Sequence, residues 1–399
     1  MTLTEDTLRF ITAHRHDDVR SLALQAGKHP LVDMPAALTQ IAGRQTAEIK
    51  IPTWAATEGI LYPPHLSMEQ CSSEVTARYK ASVVVGHEGL HNTLADLTGG
   101  FGIDFSFLAP HFEQATYVER QEVLCEVARH NFPLLGLEHF RIEQADGVDY
   151  LRRMQPADWL FLDPARRDGH GSKTVAIADC EPDVSTLESL LLEKAGRVLV
   201  KLSPMLDLAQ ALHTLTHVTE AHLVSAGNEC KELLLLLEQG KDLQPDDVPI
   251  HCINLPTDQP AIVFTRRTEQ EAPCPYTTTL HTYLYEPNAS LLKAGAFRSL
   301  THIYKVEKLH PNSHLYTSDE ALPHFPGRAF HIDSWCGFGK REVKELLGDV
   351  QKANLTVRNF PASVAELRKR FKLAEGGNVY LFATTLADDR KVLIRCSKL

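Results

Sequence analysis

The sequence predicts an α/β protein in which a mostly parallel sheet ends in an antiparallel hairpin, with a helical segment before it and a smaller α+β region after it. Three observations support this fold class. Apolar residues recur at helical spacing over residues 1–80, and six strand-like runs follow, with helix-length segments between them. A seventh run begins after a gap of only four residues, which is too short for a parallel crossover and therefore indicates a hairpin.

The predicted strands divide the chain into regions. They occupy residues 93–98, 115–120, 140–146, 159–165, 197–203, 221–227 and 232–238. We expect a helical N-terminal domain over 1–75, the sheet domain over 76–240, and a linker rich in Pro, Asp and Gln, with one edge strand, over 241–275. The α+β region that follows ends with a helix from Pro361 to Lys372 and a hairpin formed by NVYLFATTL and RKVLIRC.

The composition is that of an ordinary globular protein, with 43% hydrophobic and 23% charged residues. The N-terminus lacks the apolar core of a signal peptide, and no apolar stretch is long enough to span a bilayer. The eight cysteines include no C-x-x-C pair, which argues against a disulfide framework and a cysteine zinc site. We therefore expect a soluble, cytoplasmic protein without a membrane partner or a bound metal.

Charge is distributed unevenly along the chain. The formal net charge is −10, yet residues 325–399 carry 14 Lys and Arg against 8 Asp and Glu. A basic region on an acidic body favours a partner that carries phosphates. The alternative is that RKRFK, at 368–372, is only the solvated face of one helix. Charge alone leaves both interpretations open.

Residues 87–105 contain two motifs that compete for a functional interpretation. The first, His87 to His91, matches the zinc-protease pattern H-E-x-x-H, which needs a helix to bring both histidines to one face. Here the motif follows Gly86, contains Gly89 and stops just before a predicted strand, so no length is left for a helix. We interpret the motif as a loop.

The second motif is a glycine loop between the first predicted strand and a helix that begins at Ile103. Glycines allow the backbone to approach a ligand closely, although structural turns use them too. The second strand ends at a carboxylate placed for a ribose diol, and the third ends at one placed for an adenine amino group. Together the three strand ends predict a nucleoside site. Its candidate residues are Asp96, Thr98, Gly99, Gly100, Gly102, Glu119, Asp146 and Gly147.

The motifs DLTGGFGID, YVER, EQADG and LDPARR, with the hairpin that follows them, resemble class I S-adenosylmethionine-dependent methyltransferases over residues 75–240. Within that class the chain is similar to bacterial RNA methyltransferases with a THUMP-like C-terminal domain, through VRNFPASVAELRKRF and GGNVYLFATTLADDRKVLIRC. The resemblance implies a seven-stranded, Rossmann-like methyltransferase sheet. It also implies a ferredoxin-like segment at 276–324 and a THUMP-like, RNA-binding domain at 325–399.

The same resemblance implies S-adenosyl-L-methionine as the cofactor. Its methionine part would lie at Thr98 to Gly102, its ribose at Glu119 and its adenine at Asp146. The loop reads G-G-x-G where the family usually has G-x-G-x-G, and this leaves the role of Gly99 open.

The fourth predicted strand ends in Asp163-Pro164-Ala165-Arg166-Arg167, where substrates of this sheet family meet the methyl group. Methyl transfer needs alignment and, for some acceptors, a proton acceptor, and Asp163 is suited to hold an amino or imino group. The alternative is an aspartate that only caps a turn before proline. Amino-directed methyltransferases usually have a second proline and an aromatic residue here, whereas this chain has Ala165 and Arg166. The catalytic candidates are Asp163, Pro164 and Arg166.

Further basic residues are candidates for substrate binding. Arg166 and Arg167 could stack a base or grip a phosphate, or they could pair with acidic residues. Lys201, at the end of the fifth strand, could contact substrate or form a structural salt bridge. The absence of a thiol in the fifth-strand motif argues against covalent C5 methylation. The full set is Arg167, Lys201, Arg368, Lys369 and Arg370, the last three for an RNA backbone.

The leading hypothesis is a methyltransferase that acts on a base nitrogen of structured RNA, ribosomal or transfer. A non-catalytic RNA-binding protein and a methyltransferase for a protein or small molecule are the alternatives. An NAD-dependent oxidoreductase is disfavoured because the NAD-type sheet is all parallel and has no terminal hairpin. Nothing in the sequence indicates DNA specificity, and the acceptor atom and the oligomeric state stay open.

Overall fold

The computed structural model of the protein describes residues 3–166, 176–257 and 260–399. The chain forms two compact units. The first consists of Met1–Ala221 and Glu232–Leu243, and the second of His222–Lys231 and Gln244–Leu399.

The N-terminal part of the first unit is helical, as predicted. Its helices are α1 (Glu5–His14), α2 (Val19–Ala23), α3 (Met34–Lys50), α4 (Pro52–Ala56), α5 (His65–Gln70) and α6 (Glu74–Val85). Ser73 is the N-cap of α6, and its hydroxyl accepts a hydrogen bond from the Thr76 N–H. Phe10, Leu22 and Ile41 are buried in a small core of this helical part.

The large sheet contains the predicted strands. They are β1 (Thr93–Asp96), β2 (Gln114–Glu119), β3 (Arg141–Gln144), β4 (Ala157–Leu162), β7 (Ala195–Leu202), β8 (Val218–Ala226) and β9 (Glu229–Glu238), while β5 (Ala165–Arg166) and β6 (Cys180–Glu181) form a separate short pair. The order is β3-β2-β1-β4-β7-β9-β8. The first five pair in parallel, and β9 runs antiparallel to β7. The predicted α/β fold class with its terminal antiparallel hairpin is confirmed.

Helices cover this sheet between its strands. They are α7 (Ile103–Leu108), α8 (Glu122–Leu134), α9 (Gly147–Arg153), α10 (Val184–Lys194) and α11 (Leu208–Thr214). The middle strands are buried, as Phe161, Leu199 and Leu235 illustrate. Since the order of strands reverses between β1 and β4, their carboxyl ends form the crevice where this sheet type binds ligands.

The hairpin between β8 and β9 turns at Gly227 and Asn228, both with positive φ, of 58° and 64°. Two consecutive residues with positive φ are typical of the tight turn that matches the twist of antiparallel strands. The sequence predicted this hairpin from the short connection, although the observed connection is two residues shorter than expected.

The second unit contains a seven-stranded sheet of the order β13-β14-β12-β15-β18-β17-β16 and an antiparallel pair of β10 and β11, in which β10 lies next to β8. Its strands are β10 (Ile250–Leu255), β11 (Ile262–Phe264), β12 (Tyr283–Pro287), β13 (Glu307–Lys308), β14 (Tyr316–Ser318), β15 (Gly327–Cys336), β16 (Asn354–Arg358), β17 (Tyr380–Thr385) and β18 (Lys391–Lys398). Its helices are α12 (Arg266–Glu271), α13 (Ala289–Ala294), α14 (Ser299–Tyr304), α15 (Lys340–Leu347) and α16 (Val364–Phe371).

The segment 241–275 is more regular than the predicted linker. It contains β10, β11 and α12 rather than a single edge strand. The predicted terminal hairpin is present as β17 and β18, which pair antiparallel. The domain boundaries given in the sequence analysis stay predictions. No helix in the described part of the chain is both long and apolar enough to cross a membrane.

Candidate active site

The glycine loop begins at the carboxyl end of β1 and is fixed by bonds to its neighbours. The Thr98 N–H donates to Asp96 Oδ1 at 3.0 Å, and the Gly99 N–H donates to the Val118 carbonyl at 2.8 Å. The Gly100 N–H donates to Glu119 Oε2 at 2.9 Å, while the Tyr117 hydroxyl donates to the Gly100 carbonyl. The ends of β1 and β2 are therefore joined into one rigid edge.

The three glycines of the loop are required for different reasons. A Cβ at Gly99 would lie 2.2 Å from the Tyr117 ring, and a Cβ at Gly102 would lie 2.9 Å from the Phe132 ring. Gly100 has a φ of +55°, and its nearest neighbour to such a Cβ is 3.8 Å away. Packing against these rings therefore explains why positions 99 and 102 are glycines. At Gly100, by contrast, the space beside the loop is open.

Replacing Gly99 by alanine tests this division. The added methyl group collides with the Tyr117 ring, so we expect the free energy of unfolding to fall by about 1–3 kcal/mol. Chemical denaturation measures the change. Gly27→Ala is the control, because nothing lies within 4 Å of its Cβ position, and it should be neutral. Equal stability of both variants would contradict the packing described here.

Glu119 ends β2 and is buried. Its Oε1 accepts from the Gln121 N–H at 2.8 Å, and its Oε2 accepts from Gly100. A carboxylate has about four lone-pair sites, so two backbone donors leave capacity for two hydroxyl donors. The two backbone bonds hold the group in a single orientation at the strand end.

Asp146 and Gly147 follow β3. Asp146 is exposed, and its Oδ1 caps α9 by accepting from the N–H groups of Val148 and Asp149. A Cβ at Gly147 would lie 2.1 Å from the Leu97 carbonyl oxygen. Both residues thus have a structural role at this edge, and Oδ2 of Asp146 has no hydrogen-bond partner among the described residues.

Asp96 lies inside the sheet rather than on the crevice surface, since it is 1% exposed. Burial raises the pKa of the Asp96 carboxyl well above its usual range, against the effect of the Thr98 N–H. The neighbouring carboxylates of Asp104, Asp163 and Glu119 raise this pKa further. Asp96 therefore shapes the loop, and its electrostatic neighbours show that the ends of β1, β2 and β4 converge.

Asp163 directly follows β4. Its N–H donates to Thr98 Oγ1 at 2.6 Å, and its carboxylate forms an ion pair with Lys201 at the end of β7. The Asp163 side chain is 36% exposed, whereas the Lys201 side chain is 11% exposed. Pro164 is buried. The backbone of Arg166 pairs with Cys180 in the short β5–β6 sheet, and Arg167 lies outside the described residues.

Lys80 extends this ion pair into a buried network that sequence reasoning missed. Its side chain is 0% exposed, and its Nζ lies 2.6 Å from Glu232 Oε2 and 3.1 Å from Asp104 Oδ1. Asp104 Oδ2 accepts from the Ser72 hydroxyl at 2.7 Å and lies 3.9 Å from Lys201 Nζ. We call Lys80, Asp104, Asp163, Lys201 and Glu232 the charged cluster.

Members of the charged cluster shift one another's pKa values. Burial alone would lower the pKa of the Lys201 ammonium, but the Asp163 and Asp104 carboxylates raise it, and the net shift is upward. Burial raises the pKa of the Asp163 carboxyl, which Lys201 opposes. Burial would also raise the pKa of Asp104, but Lys80 and Lys201 bring it below its usual value. Lys201 is therefore charged, and Asp104 is ionised.

The chain is similar to a protein of known structure and to two known domain families. A crystal structure of a "putative methyltransferase" from Porphyromonas gingivalis W83 matches the whole of both chains, at 37% sequence identity and a TM-score of 0.86. The chain belongs to this methyltransferase family. A ferredoxin-like domain family matches residues 283–326, and a THUMP domain-like family matches residues 327–398. No curated protein matches the chain.

More distant methyltransferases show lower similarity. A SAM-dependent methyltransferase of Agrobacterium tumefaciens is 19% identical over 32% of this chain and 43% of its own, with a TM-score of 0.25. The tRNA methyltransferase TrmK of Bacillus subtilis is 13% identical over 42% of this chain and 67% of its own, with a TM-score of 0.31.

The basic residues of the methyltransferase's THUMP-like domain differ in their availability. On α16, Arg368 Nη1 donates to the Ala353 carbonyl at 3.2 Å, and Arg368 Nη2 lies 3.4 Å from Glu375 Oε1. Contacts within the domain therefore occupy this guanidinium group. Lys369 and Arg370 are exposed. The Arg370 guanidinium lies 5.9 Å from the Phe338 ring centre and 5.8 Å from that of Phe371.

The H-E-x-x-H segment lies in a loop, as predicted. His87 Nε2 lies 3.1 Å from Glu220 Oε1, and its Nδ1 lies 2.7 Å from the Val83 carbonyl oxygen. His91 Nε2 lies 3.0 Å from the Val84 carbonyl oxygen. These contacts attach the loop to the end of α6 and to β8, which is a structural role.

Proposed function

We propose that this protein transfers a methyl group from S-adenosyl-L-methionine to a base nitrogen of structured RNA, ribosomal or transfer. The observation that carries the proposal is the convergence of Gly100, Glu119 and Asp163 at neighbouring strand ends beside the reversal of strand order. Membership of the methyltransferase family supports methyl transfer, and the THUMP-like domain with its excess of positive charge supports RNA.

The residues fit the proposed cofactor. Space beside Gly100 suits the amino-acid part, and the unused lone pairs of Glu119 suit the two ribose hydroxyls. The exposed Asp146 has one oxygen left for the adenine amino group. Three carboxylates against two ammonium groups in the charged cluster favour a positively charged sulfonium nearby.

When bound, the cofactor supplies a methyl group that is already activated, so the protein must mainly align the acceptor and remove a proton. Asp163 is the most exposed carboxylate of the charged cluster. Burial raises its pKa, which makes its ionised form a better proton acceptor. Lys201 holds the Asp163 carboxylate in place, and the Thr98 hydroxyl holds its backbone N–H.

Glu119→Ala should weaken cofactor binding. The variant lacks the carboxylate that is proposed to bind the ribose hydroxyls and that accepts from the Gly100 N–H. We therefore expect the affinity for the cofactor to fall by about 10- to 100-fold. Calorimetric titration with S-adenosylhomocysteine measures this change, and Glu143→Ala on β3 is the control. Binding of NADH but not of S-adenosylhomocysteine by the unaltered protein would favour an oxidoreductase instead.

Removing the exposed charges of α16 should weaken RNA binding in a salt-dependent way. Lys369→Ala with Arg370→Ala removes two phosphate contacts, so the slope of log affinity against log salt should decrease by about 2. Arg9→Ala with Lys28→Ala removes two exposed charges of the N-terminal helices and should leave the slope unchanged. A slope that responds equally to both pairs would exclude α16 as the RNA surface.

One observation favours a ribose hydroxyl as a second candidate acceptor. The Lys201 ammonium adjoins Asp163, and an ammonium stabilises the negative charge that develops on a hydroxyl oxygen as it loses its proton. Residue 166 is arginine, where amino-directed methyltransferases usually have the aromatic side chain that stacks a base. Mass mapping of nucleosides in RNA from cells with and without the protein distinguishes a methylated base from a methylated ribose.

A further inference from the structure

In the described part of the chain, Lys80 makes no contact with the crevice, yet it is the most buried charge of the charged cluster. It projects from α6 and meets Asp104 of α7 and Glu232 of β9, and its Nζ also donates to the Ser72 hydroxyl at 3.2 Å. Lysine is almost never fully buried unless it is paired. Because a buried ion pair rarely stabilises a fold more than apolar side chains of the same size, stability alone does not explain it.

The charged cluster forms a continuous path from the interior to the crevice. Side-chain exposure is 0% at Lys80, 10% at Asp104, 11% at Lys201 and 36% at Asp163. Each member contacts the next, and the longest step is the 3.9 Å between Asp104 Oδ2 and Lys201 Nζ. Lys80 and Asp163 are thus linked through two intervening charges.

Asp104 and Asp163 compete for the same cation. Lys201 pairs with Asp163 and lies at the edge of ion-pair distance from Asp104. Lys80 neutralises Asp104 from the other side, at 3.1 Å. Without Lys80, Lys201 would be the nearest cation for Asp104. Lys201 would then lie closer to Asp104 than to Asp163.

We infer that Lys80, itself held by Glu232, is a positioning residue that keeps Lys201 on Asp163 by satisfying Asp104. The inference rests on the methyl transfer proposed above. Lys80 does not touch the acceptor or the cofactor. Its effect on the reaction passes through Asp104, which predicts a specific pattern of rescue.

Three variants test this pattern. Lys80→Met with Glu232→Gln removes one positive and one negative charge, and leaves Asp104 to attract Lys201. We expect kcat to fall by about 100-fold while the KM for the methyl donor changes little. Adding Asp104→Asn removes the competitor and should restore kcat to near the original value. Arg197→Met with Glu238→Gln removes an ion pair between β7, which carries Lys201, and β9, which carries Glu232, and should leave kcat unchanged.

A second measurement separates this inference from the proposed function. Nitrogen-15 NMR of the Lys201 ammonium should show a signal that shifts in the double variant and returns in the triple variant. An unchanged signal in the double variant, or loss of kcat without rescue by Asp104→Asn, would overturn the positioning role. Failure of the unaltered protein to bind S-adenosylhomocysteine and transfer methyl groups would instead refute the proposed function, and the NMR signals would still decide the role of Lys80.

Discussion

Asp163→Ala should lower the rate of methyl transfer to RNA by about 10²- to 10⁴-fold, the usual contribution of a positioned proton acceptor. The variant loses the carboxylate that faces the crevice and leaves Lys201 without its closest partner. Binding of S-adenosylhomocysteine and of RNA should stay close to that of the unaltered protein, because the proposed ribose contacts belong to Glu119 and the proposed RNA contacts to α16, and the variant alters neither. Transfer of labelled methyl groups and two titrations provide these measurements.

Asp158→Asn is the matched control for this variant. Asp158 lies on the same strand, β4, at its opposite end, and accepts from the N–H groups of Asn92 and Thr93. An amide oxygen can still accept those bonds, so transfer should continue. Full activity of Asp163→Ala would remove it from the reaction. RNA binding by an unaltered protein that transfers no methyl group would favour the non-catalytic alternative.

Lys80→Met should reduce the free energy of unfolding by about 3–5 kcal/mol, because it leaves the Asp104 and Glu232 carboxylates buried without an ammonium group. Chemical denaturation of the first unit measures this change. Lys241→Met is the control, since Lys241 is 58% exposed and its pair with Glu238 should contribute about 1 kcal/mol or less. A similar loss in both variants would mean that Lys80 is not the buried centre of the charged cluster.

Much of the fold could be predicted because its signals are local. Alternation of apolar residues predicted the strands β1 to β4 and β7 to β9 of the large sheet, and the short connection between β8 and β9 predicted their hairpin. The segment 241–275 was harder, because its strands mix polar and apolar residues and its Pro and Asp residues are typical of a linker. The backbone pairing of β10 with β11 makes this segment regular, although its pattern of side chains does not indicate two strands.

The candidate site was only partly predictable. The topology of a parallel sheet places the ends of β1, β2 and β4 together, so Gly100, Glu119 and Asp163 could be grouped from sequence alone. The separate reasons for Gly99 and Gly102 depend on the rings of Tyr117 and Phe132, which no local pattern reveals.

Two other features of the site differ in whether the local sequence indicates them. The cap that Asp146 forms on α9 did have a signal, an aspartate directly before a helix. The pair of Lys80 and Glu232 had none, since 152 positions separate the two residues along the chain. Such a pair is visible only once β9 has inserted between β7 and β8.

A crystal structure of the protein with S-adenosylhomocysteine is the decisive test of the proposed cofactor site. We expect the ribose hydroxyls on Glu119, the adenine amino group by Asp146, the amino-acid part beside Gly100 and the sulfur facing Asp163. Binding of the ligand elsewhere, or at this crevice with its sulfur directed away from Asp163, would contradict it.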